Sequence, residues 1–220
     1  MPKERQFSLM LRALMLLAPL MFGSLAAYGA ELAVTIKNPD GAPLANAVVT
    51  ARATSGASPK MPIPANPVHI NQHNTTYVPF VTVIPSGGSI DFANSDPWGH
   101  HVYSFSKTKR FEVTISGETK SKPVLFDKAG VVVIGCNIHD RMLAYIFVNG
   151  EGVSAKSDKT GMVRFPDLKA GEYTLTAWHP LLSSRRDKPT IKVSANDANV
   201  TEAEIVLKLK RPKKKKKKRY

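Results

Sequence analysis

Short segments with strand character follow one another along almost the whole chain after Glu31, and they limit the possible folds more than any other feature. Leu32 to Ile36, Val78 to Ile84 and Ala144 to Val148 are rich in β-branched, aromatic or alternating apolar residues. Proline, glycine, asparagine and aspartate separate such segments at short intervals, which is typical of β-sandwiches and barrels. A long apolar helical pattern occurs only in the first 30 residues. We therefore predict an all-β protein.

The N-terminal segment has the organisation of an export signal. Basic residues come first, an apolar run from Ala13 to about Ala27 follows, and small residues end the segment. The run is shorter than the roughly 18 apolar residues of a membrane-spanning helix, and Pro19 interrupts it. We therefore predict that residues 1–30 are a cleaved signal peptide and that the mature protein is periplasmic.

Most of the excess positive charge lies at the C-terminus. The formal net charge is +14, but the last ten residues contain eight basic side chains and no acidic one. Once the excess of the leader is also removed, about +4 remains on the folded body, and no recognition element for nucleic acid accompanies it. Like charges repel along Lys213 to Lys218, so residues 210–220 are predicted to be a disordered basic tail. Such a tail either contacts an anionic membrane or an acidic partner, or only solubilises the chain.

One loop carries three metal-binding side chains at regular spacing. Cys136 supplies a thiol, His139 an imidazole and Met142 a thioether, each three residues after the last. Cys136 is the single cysteine, so no intramolecular disulfide can protect this thiol in an exported protein. Soft sulfur together with imidazole favours copper. A further ligand is expected from His100 or His101, which follow a turn and begin the next strand.

Several segments occur in the order found in a known family. The list is Tyr77-Val78-Pro79, Val83 to Gly88, Asp91 to Asn94, His100-His101-Val102, Phe126 to Gly130, and Cys136-x2-His139-x2-Met142. Together they resemble the cupredoxins, the plastocyanin-like blue copper proteins, and in the short spacing of the last loop they resemble the amicyanin branch. The resemblance covers roughly 80 of the 220 residues, from Ile70 to Phe147. It implies a Greek-key β-sandwich.

The resemblance also implies a ligand set. One type 1 copper ion would be held by His100, Cys136, His139 and Met142, and the protein would carry out one-electron transfer. Family members usually have asparagine after the first histidine ligand, whereas this chain has His101. The distance from Asn94, which the family pattern places in contact with both ligand loops, favours His100, and His101 remains the alternative.

The family pattern further implies how electrons leave the site. The ring edge of His139 would face solvent, and Ile138 and Leu143 would form an apolar rim around it. Asp140 and Arg141 would add charge specificity. The partner implied by the resemblance is a dehydrogenase or a cytochrome.

Other functions have less support in the sequence. No nucleophile elbow, HExxH motif, P-loop or paired-carboxylate arrangement occurs, so we predict that the protein is not an enzyme. His69, His73 and His179 lack ligand partners at suitable spacing and are predicted not to bind metal. The alternatives are a periplasmic copper carrier or sensor, and a metal-free structural binding module on a cupredoxin fold.

The segments on either side of the copper region resemble a second family. Val34 to Ile36 with Asp40 to Val49, and Ser157 to Gly161 with Ala170 to Leu175, resemble the carboxypeptidase-regulatory-like, transthyretin-type sandwich of immunoglobulin-like character. Neither part has enough strands to form a core alone. We therefore predict that residues 31–57 and 150–209 form one β-sandwich into which the copper domain, residues 58–149, is inserted. The alternative assigns residues 31–57 to the copper domain itself.

Overall fold

The structure, a computed structural model, describes residues 29–139, 141–184, 188–197 and 199–210. Within these ranges the chain forms sixteen strands and no helix, so the all-β prediction is confirmed for this part of the protein. The same ranges contain no helix long and apolar enough to cross a membrane. Nearly all of the predicted signal peptide, and the predicted tail after Lys210, lie outside the described residues.

The strands divide into those before, within and after the predicted insertion. In chain order they are β1 (Ala30–Lys37), β2 (Val48–Ala53), β3 (Val68–His73), β4 (Thr76–Val78), β5 (Val81–Pro85), β6 (Gly88–Asn94), β7 (His100–Phe105), β8 (Arg110–Ile115), β9 (Val124–Phe126), β10 (Gly130–Cys136), β11 (Leu143–Asn149), β12 (Val153–Lys156), β13 (Met162–Leu168), β14 (Gly171–Trp178), β15 (Thr190–Ala195) and β16 (Thr201–Val206). We call residues 58–149 the inserted segment, and residues 31–57 with 150–209 the flanking sandwich.

The inserted segment folds as two sheets around one apolar core. The ligand sheet has the order β5-β11-β10-β7-β8, and the back sheet has the order β4-β3-β6-β9. Alternation along each strand sends one set of side chains inward, as in β10, where Val132 and Ile134 are buried and Val131 and Val133 face outward. The inward set from both sheets forms a single cluster that includes Phe92.

The flanking sandwich joins strands from both ends of the chain. β1 pairs antiparallel with β13, so that Leu32 lies opposite Phe165, and it pairs parallel with β16, so that Leu32 also lies opposite Thr201. The second sheet has the order β12-β2-β14-β15, and a separate core that includes Leu175 lies between the two sheets. This pairing supports the proposed insertion, because β1 bonds to strands that follow residue 150.

The flanking sandwich packs on the outer face of the ligand sheet. Val48, Val81, Tyr145 and Trp178 form a buried cluster there, and the Trp178 ring lies 6.0 Å from that of Tyr145. The Lys156 ammonium donates a hydrogen bond of 2.8 Å to the carbonyl of Val81, and its burial lowers the pKa of Lys156. The flanking sandwich therefore covers the apolar outer face of the ligand sheet.

Candidate metal centre

Two neighbouring strands of the ligand sheet bring His100 and Cys136 together. His100 is the first residue of β7, and Cys136 is the last residue of β10. Because these strands are antiparallel, with Cys136 opposite Val102, the start of one meets the end of the other. The described residues 137–139, 141 and 142, which include His139 and Met142, follow at this end of the sheet before β11 begins. We call this end of the inserted segment the metal end.

The three nitrogen and sulfur ligands predicted from the sequence lie close together. The Cys136 Sγ atom is 3.6 Å from Nδ1 of His100 and 3.9 Å from Nδ1 of His139. The two imidazole rings have centroids 5.2 Å apart and are tilted by 53°. Across the part of the chain that the structure describes, this trio is the one group of three or more His, Cys, Asp or Glu side chains compact enough to hold a metal ion.

The cluster is largely shielded from solvent. His100 is fully buried, while Cys136 and Met142 are each only 3% exposed. Met142 belongs to the same core cluster as Cys136, and its amide donates a hydrogen bond of 2.9 Å to the carbonyl of His139. That bond closes the loop after Cys136 and returns Met142 to the core. His139 is the least buried of the four side chains.

A buried carboxylate fixes the orientation of His100. Asp96 Oδ2 lies 2.9 Å from Nε2 of His100, which leaves Nδ1 as the ring nitrogen that faces Cys136. The amides of Asn74 and Thr75 donate to the two Asp96 oxygens at 2.7 and 3.1 Å. Burial alone would raise the pKa of Asp96, but the hydrogen bonds from Thr75, His100 and Asn74 outweigh it and lower the pKa below its ordinary value.

Asn94 braces the turn before His100. Its Nδ2 donates to the carbonyls of Trp98 and Ser116 at 2.7 and 3.0 Å, and its Oδ1 accepts from the Asp96 amide at 2.9 Å. The sequence-based prediction that Asn94 links the two ligand loops is therefore wrong. The Asn94 hydrogen bonds join the turn before His100 to the end of β8. The backbone links the ligand loops instead, through the Asn137 amide and the His101 carbonyl at 3.0 Å.

The structure separates the two adjacent histidines. Successive residues of a strand point to opposite faces, so His100 faces the core and His101 faces outward from the ligand sheet. The Nε2 atom of His101 lies 3.5 Å from Oε2 of Glu112, on the neighbouring strand. His100, and not His101, therefore lies beside Cys136.

The three remaining histidines have other contacts. His69 pairs with Asp91, His73 with Asn74, and His179 with the carbonyl of Ala45. None of the three belongs to the described cluster around Cys136.

Three residues near the cluster were not predicted from the sequence. The sequence contains only a weak indication of the role of Asp96: an acidic residue four positions before a histidine can reach its ring. Tyr77 donates from its hydroxyl to the Gly135 carbonyl at 3.0 Å, and burial, followed by the nearby Cys136, raises the pKa of Tyr77 far above its ordinary value. Trp98 is 48% exposed beside His100 in the chain. Neither aromatic residue has a spacing that marks it in the sequence.

The donor set and its dimensions fit a small metal ion. Bonds of about 2.0–2.3 Å at angles of roughly 110–120° place a nitrogen and a sulfur ligand about 3.5–3.7 Å apart. The separation between Cys136 and His100, 3.6 Å, lies within this range, and that between Cys136 and His139, 3.9 Å, is slightly longer. Two imidazoles, one thiolate and a thioether are the ligands that blue copper sites use, and Met142 shares a core cluster with Cys136.

Comparisons with known proteins concern only part of the chain. The copper-containing nitrite reductase of Thermus scotoductus SA-01 matches with a TM-score of 0.36 and 23% identity over 44% of this chain, which spans 25% of the reductase. A purple cupredoxin of Nitrosopumilus maritimus matches with a TM-score of 0.34 and 19% identity, covering 37% of this chain and 99% of its own. Amicyanin of Paracoccus versutus matches with a TM-score of 0.35 and 17% identity, covering 46% and 98%. No family model and no curated protein matches.

Proposed function

We propose that this chain is a copper protein of the cupredoxin type that transfers single electrons between redox partners. His100, Cys136, His139 and Met142 hold one type 1 copper ion in this proposal. The observation that carries it is the pair of imidazole nitrogens 3.6 and 3.9 Å from the sulfur of a buried cysteine. A cysteine that only fills the apolar core is expected to contact apolar side chains, not the ring nitrogens of two histidines.

Copper bound there supplies a one-electron redox couple, and the protein residues hold its ligands in place. β7 and β10 fix the backbone of His100 and Cys136 through their pairing. Asp96 keeps the ring of His100 in one orientation, and the Met142 amide closes the loop over the site. A preorganised ligand set limits the rearrangement that accompanies each change of oxidation state, which favours rapid transfer.

Electrons leave through His139 in this proposal, because it is the ligand with the most solvent contact. Apolar side chains stand exposed on the surrounding loops: Ile138 is 58% exposed, Leu143 43% and Trp98 48%. Such a surface suits brief docking of a redox protein, since it desolvates easily and makes few specific bonds. A dehydrogenase or a cytochrome is the partner class we propose.

Export to the periplasm is part of the same proposal. It is supported by the leader-like residues 1–30 and by a thiol that metal ligation would protect from oxidation. The check is the N-terminal sequence of protein recovered from a periplasmic fraction. A processed terminus between Ala26 and Glu31 supports export, and an intact Met1 on cytoplasmic protein contradicts it.

The decisive experiment is an absorption and EPR spectrum of the copper-loaded chain. We expect one copper ion per chain and an intense visible thiolate-to-copper band, which Cys136→Ser abolishes because a hydroxyl is not the same low-energy donor. The circular dichroism of the metal-free variant should match that of the unsubstituted chain, which controls for folding.

Reduction of the loaded protein separates the alternatives. Reversible bleaching with copper retained supports electron transfer, whereas release of copper on reduction indicates a carrier. If no stoichiometric copper binds, the chain is a metal-free module and the proposal fails.

A further inference from the structure

The hairpin between β7 and β8 carries positive charge that the proposed function does not use. Residues 105–110, which we call the basic hairpin, include Lys107, Lys109 and Arg110 and no acidic residue. Lys107 and Arg110 are exposed, and Lys109 is partly buried. Among the ion pairs of the described residues, none involves any of these three side chains. Their charge is therefore available to a partner outside the described chain.

A neighbouring loop adds another basic side chain beside the basic hairpin. Gly130, at the start of β10, packs so closely on Thr108 that an added Cβ would lie 2.8 Å from the Thr108 hydroxyl oxygen. The exposed Lys128 lies two residues before this contact, in the loop between β9 and β10. Asp127, also exposed, is the acidic residue of that loop. Four basic side chains and one acidic side chain therefore share this part of the surface.

The basic hairpin also exposes an aromatic side chain. Phe105 is 68% exposed, the largest fraction among the exposed large hydrophobic side chains of the described residues, and its ring centroid lies 5.0 Å from that of Tyr103. Phe105 is paired with Arg110 across the hairpin. The cluster that joins the two halves of the molecule draws on β5, β10 and β11 but not on β7 or β8. The Phe105 ring therefore lies among cations on a part of the ligand sheet that this cluster leaves open.

The basic hairpin lies at the end of the inserted segment opposite the metal end. β7 starts at His100, which faces Cys136, and ends at Phe105. At about 3.3 Å per residue, the two ends of this strand are roughly 16 Å apart. A flat surface that contacts the basic hairpin therefore leaves His139 and Trp98 on the far side of the inserted segment.

Exposed cations around an aromatic ring are suited to the surface of an anionic phospholipid membrane. Basic side chains are attracted by the negative headgroups, and each one near the surface strengthens binding roughly fivefold. Aromatic rings are favoured at the boundary between headgroups and acyl chains. A hairpin tip is too small for a stable protein interface, which buries about 800 Å² on each partner. A lipid surface needs only a few such contacts, so it fits the basic hairpin better than an acidic protein does.

We propose that the basic hairpin and Lys128 bind this protein to anionic phospholipid headgroups, with Phe105 entering the membrane interface. The metal end then faces away from the membrane and stays open to soluble partners. This inference goes beyond the proposed electron-transfer function and does not require that copper binds. The attraction should weaken as salt is added, because the Debye length falls from about 10 Å at 0.1 M to about 3 Å at 1 M.

The first test measures sedimentation of the full chain with vesicles of phosphatidylcholine, with and without phosphatidylglycerol. We expect binding only when phosphatidylglycerol is present, and we expect it to weaken roughly tenfold or more when all three basic residues of the hairpin are replaced with glutamine. The matched control replaces the exposed Lys159, Lys192 and Lys208 of the flanking sandwich with glutamine, which removes the same charge. The control should weaken binding less than threefold. Equal losses in the two variants would overturn the inference, because net charge alone would explain them.

Tryptophan fluorescence then identifies the end of the molecule that touches the lipid. Trp98 is 48% exposed beside the metal end, and Trp178 is 8% exposed between the two halves. Phosphatidylglycerol with brominated acyl chains should therefore not quench the fluorescence of the bound, unsubstituted chain. Phe105→Trp adds an indole to the basic hairpin, and that indole should be quenched. The protein is prepared without copper, since Cu(II) quenches a nearby indole.

Three outcomes of these experiments decide against the inference. Quenching of the unsubstituted chain would place the metal end against the membrane. Vesicle binding without quenching of Phe105→Trp would show that another part of the chain holds the lipid. No binding to vesicles that contain phosphatidylglycerol would exclude a membrane, and a soluble acidic protein would then be the candidate partner. Circular dichroism of each variant should match that of the unsubstituted chain, and none of these outcomes depends on the copper spectrum that tests the proposed function.

Discussion

The two halves of this molecule, both built from paired β-sheets, differ in what they bury. In the inserted segment the buried polar residues are Gln72, Thr82, Asp91, Asn94, Asp96, His100, Ser104 and Asn149. In the flanking sandwich they are Ser154, Ser157 and His179. Burying polar groups is costly unless each is bonded, so the bonded set of Asn94, Asp96 and His100 next to Cys136 indicates a functional site. The flanking sandwich buries fewer polar side chains around a more uniformly apolar core.

The largest expected effect concerns the two adjacent histidines. His100→Ala should remove the visible band of the copper-loaded protein, because it deletes the ring nitrogen 3.6 Å from the Cys136 sulfur. His101→Ala should leave the band nearly unchanged, since His101 faces Glu112 on the outer side of the sheet. Absorption spectra and copper content of the two variants provide the measurement. A band that survives in His100→Ala and disappears in His101→Ala would contradict the assignment.

The next prediction tests whether the two halves stabilise each other. Trp178→Ala should lower the free energy of unfolding by about 3–5 kcal/mol, as expected when a buried aromatic side chain is truncated. The Trp178 ring contacts Tyr145 and lies 5.5 Å from that of Phe147, so its loss opens a cavity between the halves. The visible spectrum of the folded variant should not change, because the ligand loops lie beyond this interface.

Chemical denaturation followed by far-ultraviolet circular dichroism measures this effect. Val206→Ala is the matched control, because Val206 is 48% exposed on β16 of the flanking sandwich and should cost little. If Trp178→Ala is as mild as the control, the two halves are not coupled through this residue.

The sequence allowed the ligands to be predicted because their spacing is local. Cys136, His139 and Met142 lie within seven residues, and the chemistry of their side chains already favours copper. The choice between His100 and His101 needed the strand direction, since a shift of one residue moves a side chain to the other face. Tyr77 acts through a contact between separate parts of the chain, which no local spacing reveals. Asp96 lies only four residues before His100, and this spacing is a weak sequence signal.

The positions of the strands, like the ligands, could be predicted because their sequence signals are local. Alternating or β-branched apolar residues identified strands such as β1 and β11. Which strands pair depends on contacts far apart in sequence, such as Leu32 with Thr201, and the sequence alone left two arrangements open. Trp178 is the last residue of β14, but its role at the interface depends on the packing of two sheets and has no sequence signature.

A smaller effect is expected at the carboxylate that orients His100. Asp96→Asn should lower the stability of the metal-free protein by about 1.5–3 kcal/mol, because Asp96 is a charged acceptor of several buried hydrogen bonds. It should also weaken copper binding about 10–100-fold, as seen when groups that orient a ligand are removed. Competition titrations with a copper chelator measure the affinity. Glu112→Gln, which changes the exposed partner of His101, should leave both quantities nearly unchanged and serves as the control.

The smallest effect concerns His179, the buried histidine of the flanking sandwich. Burial lowers the pKa of His179, although its bond to the Ala45 carbonyl acts in the opposite direction. Its Nδ1 accepts from the Leu181 amide at 3.1 Å, and its Nε2 lies 3.2 Å from the Ala45 carbonyl oxygen. The neutral ring with a proton on Nε2 satisfies both contacts, whereas a proton on Nδ1 would face the Leu181 amide.

The sign of the pH dependence follows from this lowered pKa. The unfolded chain binds a proton at His179 near the ordinary value of about 6.5, before the folded chain does, so acid favours unfolding. The stabilisation is fully present above that value and is lost as the pH falls through the folded pKa. The unsubstituted protein should therefore lose more stability between about pH 7.5 and about pH 5.5 than His179→Gln does. Denaturant unfolding of both copper-loaded proteins at the two pH values measures the difference, and equal losses would show that His179 does not contribute.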